Sequence, residues 1–319
     1  MVSTSSDISS IKAFAESNGA SPIPSNYHSF ADINDVADAD GLAASIPVID
    51  FSFLTSDDPQ IHTKTVDELG KACAEWGFFM LINHGISESL MEELMKKSRE
   101  FHDLPMEEKK EFCDNGDPFS PIRHGYREVA FEYCEKITVI ARKLMQGISK
   151  SLGLESSSII DSSGFDSGLH FMLVNLYPPC PQPNLALGLP SHSDVGFLAF
   201  LIQNEIGGLQ VKHEGKWVNV NPIPNCLVVN IGDQLEVVSN GSYASVLHRA
   251  ILNNKDTRIS VVVLNGPAQD KEIGPAPKLL EKEKSLFKSI KYRDYFQVQQ
   301  KSRFSEGRPL DQIRNSALQ

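Results

Sequence analysis

The sequence predicts a mainly β protein with flanking helices, built on a double-stranded β-helix core of the jelly-roll, cupin-like kind. Two observations carry that expectation. From His170 onward the chain is a series of short apolar or alternating runs punctuated by Pro, Gly and Asn turns. Ahead of it, residues 46–153 interleave two short strands with longer stretches whose apolar residues recur at three- and four-residue steps. This divides the chain into an amino-terminal arm (1–45), an α/β region that supports the barrel (46–153), the jelly-roll core (165–270) and a helical tail (271–319).

Each element has a local reason. The arm is rich in Ser, Ala and Asp, with one short helical stretch around Ile11 to Glu16. Ile46 to Phe51 is a strand. A helix fits Pro59 to Glu75, with Asp58 as N-cap and proline in the first turn. Gly77 ends it, and Phe78 to Ile82 is a buried strand. Asn83-His84-Gly85 turns the chain into a helix capped by Ser87 or Ser89, with Leu90, Leu94 and Phe101 inward. Leu104 to Lys109 starts a short helix. Val129, Tyr133, Ile137, Ile140, Leu144 and Ile148 then mark one long amphipathic helix.

In the core, His170 to Tyr177 is a strand closed by Pro178-Pro179. Phe197 to Ile202 is apolar throughout, as a strand buried on both faces should be. Leu209, Val211, Trp217 and Val220 alternate about a hairpin turn at Glu214-Gly215. Cys226 to Ile231, Leu235 to Val238 and Val246 to Leu252 follow as strands, with a turn at Asn240-Gly241, and the next strand carries Arg258. The tail forms a helix around Tyr292 to Lys301.

Composition narrows the function. A chain of 319 residues, 41% of them hydrophobic, can build one large core. The net charge of −11 argues against nucleic-acid or anionic-membrane partners and for a small-molecule substrate. Five cysteines, with no Cys-x-x-Cys pair, suit reduced thiols in a cytoplasmic protein. No secretory signal or membrane-length apolar run is visible, and a monomer is expected.

The chemistry concentrates between Leu189 and Leu264. In an extended strand, residues two apart share a face, so His192-Ser193-Asp194 sets an imidazole beside a carboxylate. His248, in the middle of a later strand, supplies a third metal ligand. Two neutral nitrogens and one carboxylate on one face, with the other positions open, suit a non-haem Fe(II) oxygenase. Arg258 and Ser260 form another i, i+2 pair, and a guanidinium with a hydroxyl can grip a carboxylate. His84 fits a role in satisfying backbone groups at its turn. His28, His62, His102 and His213 fall on arms, helix faces or loops, while His124 and His170 lack a ligand-spaced partner.

Together these residues resemble the plant branch of the Fe(II)/2-oxoglutarate-dependent dioxygenases. Ile46 to Asp50, Trp76 to Phe79, Ile82 to Gly85, Asn175 to Cys180 and Val229 to Asp233 match family landmarks in order. The resemblance implies that His192, Asp194 and His248 hold iron. Arg258 and Ser260 then bind the far carboxylate of 2-oxoglutarate, with Tyr177 donating to the same group and Asn175 nearby. Formal charges agree: Fe(II), Asp194, the 2-oxoglutarate dianion and Arg258 sum to zero, which an enclosed site tolerates best. Leu264 falls at the substrate pocket or in the core.

The implied reaction converts 2-oxoglutarate and O₂ to succinate and CO₂ while oxidising, most often hydroxylating, a small apolar or aromatic specialised metabolite or hormone. Ascorbate serves as reductant. One departure stands out: Gly125 passes at once to Tyr126, where relatives carry a few tens of residues with strand and pocket positions. A catalytically impaired isoform, or a non-catalytic jelly-roll binding protein that keeps the metal site, is therefore the alternative.

Overall fold

The computed structural model describes residues 46–105, 107–109, 125–301 and 308–315, with isolated positions of the amino-terminal arm. Of the helix expected around Ile11 to Glu16 only Lys12 and Ala15 are described, both helical, and most of the loop before Gly125 lies outside the described residues.

Caps fix the first elements. Strand β1 (Val48–Asp50) stops one residue earlier than expected, because the Asp50 carboxylate accepts from the Ser52 backbone N–H at 2.9 Å and starts the short helix α1 (Phe51–Leu54). Asp58 caps α2 (Pro59–Glu75) through Gln60 and Ile61. After β2 (Phe78–Ile82), Ser87 rather than Ser89 caps α3 (Glu88–Asp103). Glu128 accepts from the Gly125 backbone N–H at 2.7 Å at the start of α4 (Tyr126–Ser151), and α5 (Ser158–Ser163) follows.

The core strands are β3 (His170–Tyr177), β4 (Leu187–His192), β5 (Leu198–Gln203), β6 (Leu209–His213), β7 (Lys216–Val220), β8 (Leu227–Ile231), β9 (His248–Ile251) and β10 (Arg258–Asn265). They form a six-stranded sheet in the order β1-β2-β8-β5-β10-β3 and a four-stranded sheet in the order β4-β9-β6-β7. The hairpin at Glu214-Gly215 joins β6 to β7 with His213 opposite Lys216.

One expected strand is a helix. Leu235 to Val238 lies in α6 (Asp233–Val238), which begins where the Asp233 and Gln234 backbone N–H groups bond to the Asp194 and Gly196 carbonyls. All six residues of α6 are buried, so its side chains show no periodic face and the apolar run reads equally well as a strand. The strand expected over Val246 to Leu252 shortens to β9. Helix α7 (Tyr292–Lys301) forms as expected.

Alternation along the six-stranded sheet separates two cores. Phe79, Phe200, Val229, Val261 and Val263 point outward and pack with helical residues such as Leu69, Ile137 and Leu144. Phe78, Leu201 and Val228 point inward, against Leu209, Val211, Val218 and Val220 of the smaller sheet. This is a double-sheet jelly roll with helices on one outer face. Between the facing sheets the apolar packing gives way to a cavity of about 390 Å³.

Gly77 makes the α2–β2 junction possible. Its φ is +60°, and a Cβ there would sit 2.2 Å from the Ala244 carbonyl oxygen. Gly77→Ala combines left-handed strain with a backbone clash, so it should lower unfolding free energy by about 2 kcal/mol or more, measured as a lower urea midpoint.

Candidate active site

The cavity floor is built by two neighbouring strands of the small sheet. His192 and His248 are cross-strand partners in the β4–β9 pair. Their ring centroids lie 4.2 Å apart, and Phe78 packs edge-on to His248 at 5.5 Å. β4 ends at His192, and its register with β9 is irregular. Asp194 therefore reaches the histidines from the turn after the strand, not from the strand face that the i, i+2 spacing predicts.

Hydrogen bonds orient the rings. His192 Nδ1 lies 2.8 Å from the Pro190 carbonyl and His248 Nδ1 lies 3.3 Å from the Val246 carbonyl. A carbonyl only accepts, so each Nδ1 carries the proton and each Nε2 presents a lone pair. His192 Nε2 is 3.9 Å from Asp194 Oδ1, and His248 Nε2 is 3.7 Å from Asp194 Oδ2. These gaps are too long for hydrogen bonds. One ligand atom from each of the three residues lies within 4.8 Å of the other two, so a single ion between them can be shared. Burial and the neighbouring His192 push His248 down to about 4, against the pull of Asp194, so its imidazole is neutral at physiological pH. Two imidazoles with a carboxylate are the donor set that Fe(II) takes.

The opposite wall carries Arg258 and the polar residues around it. Arg258 is 2% exposed on the inner face of β10, with its guanidinium 4.9 Å over the Tyr177 ring. Nη2 donates to Gln203 Oε1 at 2.9 Å, and Nη1 lies at the limit of reach, 3.5 Å, from Ser260 Oγ. Its buried Nε has no hydrogen-bond partner. A buried guanidinium with an orphaned N–H and, among the described residues, no ion-paired carboxylate fits a site for an acidic ligand. Burial lowers Arg258 from its ordinary value, with Tyr177 opposing the shift; burial also raises the Tyr177 phenol, offset by Arg258 and Ser260. Asn175 and Tyr177 pair with Ser260 and Arg258 across the β3–β10 ladder, and Leu264 pairs with Phe171. All of them line the same cavity as the histidines.

The donor set and the guanidinium thus face each other across one cavity. Residues 169–267 match the 2OG-Fe(II) oxygenase superfamily, and residues 46–138 match the family described as non-haem dioxygenase in morphine synthesis N-terminal. The 2-oxoglutarate-dependent dioxygenase 19 of Oryza sativa subsp. japonica is 36% identical over 329 residues, spanning 91% of this chain and 97% of the relative. The chain belongs to the 2OG-Fe(II) oxygenase superfamily.

This oxygenase is also 37% identical to thebaine 6-O-demethylase of Papaver somniferum, covering 77% of the chain and 78% of the relative. The crystal structure of JOX2 in complex with 2OG, Fe and JA superimposes with a TM-score of 0.81 at 28% identity, over 95% of this chain and 97% of that one. The dioxygenase for auxin oxidation from rice gives 0.73 at 25% identity, over 85% and 100%. The chain is therefore an oxidoreductase whose family uses Fe(II) and 2-oxoglutarate. Among the described residues no helix is long and apolar enough to cross a membrane. The four described cysteines are free.

Sequence reasoning missed several residues of this oxygenase's site. Gln203 holds Arg258, and Asn230 donates from Nδ2 to Asp194 Oδ2 at 2.8 Å. Their signal was faint: each is a polar residue at or near the end of an apolar strand. Behind the Asp194 turn lies Asp233, fully buried, accepting from Ser193 Oγ at 3.2 Å and Tyr295 Oη at 2.6 Å, with Arg308 at 3.6 Å. His170 is engaged with Phe165 and Asn265, and His213 stacks on Trp76, away from the cavity.

Burial outweighs those donors and pushes Asp233 up to about 6 from 3.8. A raised carboxyl binds its proton more tightly in the folded state, so its contribution to stability is greatest below the unfolded value and is lost as pH rises through 6. Between pH 3.8 and 6, wild type should lose on the order of 2–3 kcal/mol relative to Asp233→Asn, read from urea midpoints of both proteins across that range.

Proposed function

We propose that His192, Asp194 and His248 hold Fe(II), and that Arg258, with Ser260 and Tyr177, binds the far carboxylate of 2-oxoglutarate, in an enzyme that oxidises a small apolar or aromatic metabolite or hormone. The observation that carries this reading is the convergence of two Nε2 lone pairs and a carboxylate on one cavity whose other wall presents a buried, incompletely partnered guanidinium. When bound, Fe(II) with 2-oxoglutarate and O₂ supplies the power to oxidise an unactivated C–H bond, giving succinate and CO₂; ascorbate keeps the metal reduced.

The chain's own residues bind, orient and exclude water. Carbonyl bonds to both Nδ1 atoms fix the imidazole planes, and Asp194 cancels one unit of the ion's charge. Gln203 restrains the Arg258 fork, and its free Nε–H adds a donor for the cosubstrate. Asn175 stands beside this subsite. Phe171, Val262, Leu264 and Phe296 present apolar surface to the remaining volume, which suits a flat apolar body and keeps water away. Relatives are named for flavonols, flavanones and thebaine, and the JOX2 and auxin-oxidation structures add hormone-oxidising neighbours, which supports a small-molecule substrate of this class. Hydroxylation is the favoured outcome, and O-demethylation begins at the same kind of C–H bond. We infer a cytoplasmic monomer, in keeping with the acidic chain and its free thiols.

A second reading, an isoform that keeps the metal site but oxidises no substrate, draws on one observation. The 329 positions aligned with the rice relative exceed the 319 residues of this chain, although only 91% of the chain takes part. The relative therefore has residues without counterpart here, and the Gly125-Tyr126 junction is where we place the gap.

With Fe(II), ascorbate, 2-oxoglutarate, O₂ and a panel of flavonoids, alkaloids and hormones, wild type should form succinate in step with product. His192→Ala and Asp194→Ala should abolish both product and Mn(II) binding. Arg258→Ala should leave Mn(II) binding intact and weaken 2-oxoglutarate by about 2–5 kcal/mol, measured by calorimetry. Full turnover in Asp194→Ala would sink the iron assignment. Tight Mn(II) and 2-oxoglutarate binding with no succinate from any panel member would favour the second reading.

A further inference from the structure

Asn230 is the polar residue of an otherwise apolar strand, Leu227–Ile231, and is 5% exposed. It points inward from β8, in register with Phe78 on one side and Ala199 on the other. Its inward neighbours, Phe78, Leu201 and Val228, are apolar. A primary amide in such a place is costly unless it is paired, and a valine would satisfy the sheet better. What the amide does is donate from Nδ2 to Asp194 Oδ2 at 2.8 Å. A carboxylate only accepts, so the N–H end of the amide must face it.

That single bond has a chemical consequence. A carboxylate can bind a cation through one oxygen or both. With the N–H on Oδ2, which also lies 3.7 Å from His248 Nε2, rotation of the carboxylate is restrained and the donor strength of that oxygen falls, while Oδ1, 3.9 Å from His192 Nε2, keeps its full charge density. We infer that Asn230 is a positioning residue that makes Asp194 a one-oxygen ligand through Oδ1, reserving for 2-oxoglutarate the coordination position that a second carboxylate oxygen would fill. The inference rests on the metal assignment proposed above.

The backbone at Asp194 is held independently of Asn230. The Asp233 N–H donates to the Asp194 carbonyl at 2.7 Å, and Gly232 packs so closely that an added Cβ would lie 2.3 Å from the Gly196 carbonyl oxygen. Changing Asn230 therefore alters how the carboxylate is turned, not where its main chain runs.

The test titrates the full chain, metal-free, with Mn(II) and Co(II), in wild type, Asn230→Val and Asn230→Asp. Valine suits a strand and removes the donor; aspartate is nearly equal in size and replaces the donor by a second carboxylate. Loss of an outer partner of this kind costs about 10–100-fold in metal affinity. Asn230→Val should bind Mn(II) about tenfold more weakly, and its Co(II) absorption in the visible should lose intensity as a second oxygen enters the coordination sphere. 2-Oxoglutarate should then alter the Co(II) spectrum only at several-fold higher concentration than in wild type. Asn230→Asp should also shift that spectrum, and it carries the test alone if the valine variant does not fold. A merely structural role would lower the urea midpoint and leave the Co(II) spectrum of folded protein unchanged. Folded variants that bind Mn(II) within twofold of wild type and share its spectrum overturn the inference. If wild type binds neither ion, the metal assignment itself falls and takes this inference with it, a separate and recognisable result.

Discussion

Buried polar groups that do not satisfy one another are the constraint on which this structure depends. His192 Nε2, His248 Nε2 and the Asp194 carboxylate approach one another at separations too great for hydrogen bonds, with only Asn230 donating to Asp194, and Arg258 keeps a buried, unpartnered Nε in the same cavity. Each such group taken from water without a partner costs on the order of 1–3 kcal/mol, and more when charged. An arrangement of this kind is stable only as half of something. The divalent cation and the dicarboxylate proposed above would complete it and bring the formal charge of the cavity to zero.

The jelly roll places those groups by opposing two sheets of different character. The small sheet brings His192 and His248 together as cross-strand partners. The large sheet sets Arg258 and Ser260 on alternate positions of β10, beside Tyr177 and Asn175 of β3. The apolar layer of Phe78, Leu201, Val211 and Val218 holds the sheets apart at one end, so that the other end stays open. Strand pairing and alternation thus set His192 and His248 opposite Arg258 and Ser260, while Asp194 is added from the turn that follows β4.

Support for the site extends into the tail. Arg308 and Arg314 reach Glu236 at 2.9 and 2.7 Å, and Tyr295 reaches Asp233, all on α6 directly behind the Asp194 turn. Helix α7 meanwhile contributes Phe296, Gln299 and Gln300 to the cavity rim. The carboxy-terminal segment is thus tied at one end to the main chain that carries Asp194 and at the other to the volume where a substrate would rest. A disturbance of that tie reaches both.

Much of this was legible in the chain. Strand alternation, capping residues and turn dipeptides reflect local free energies, so Asp58, Ser87 and Glu214-Gly215 marked their elements before any contact was known. His192, Asp194, His248, Arg258 and Ser260 stood out because they occur together in order, where a His-x-Asp pair alone would have been weak evidence. Where local signals vanish, the reading faltered. Leu235 to Val238 is buried on every side, so helix and strand leave the same apolar pattern; only the bonds from Asp233 and Gln234 to the 194–196 turn decided for helix. Likewise the carboxylate of Asp194 arrives from a turn, and its partner Asn230 lies on a strand 36 residues away. A sequence determines which face of each strand is buried, because that depends on neighbours one and two positions off. Which buried amide meets which carboxylate depends on how the sheets close over one another, and distance across a sandwich leaves no local trace.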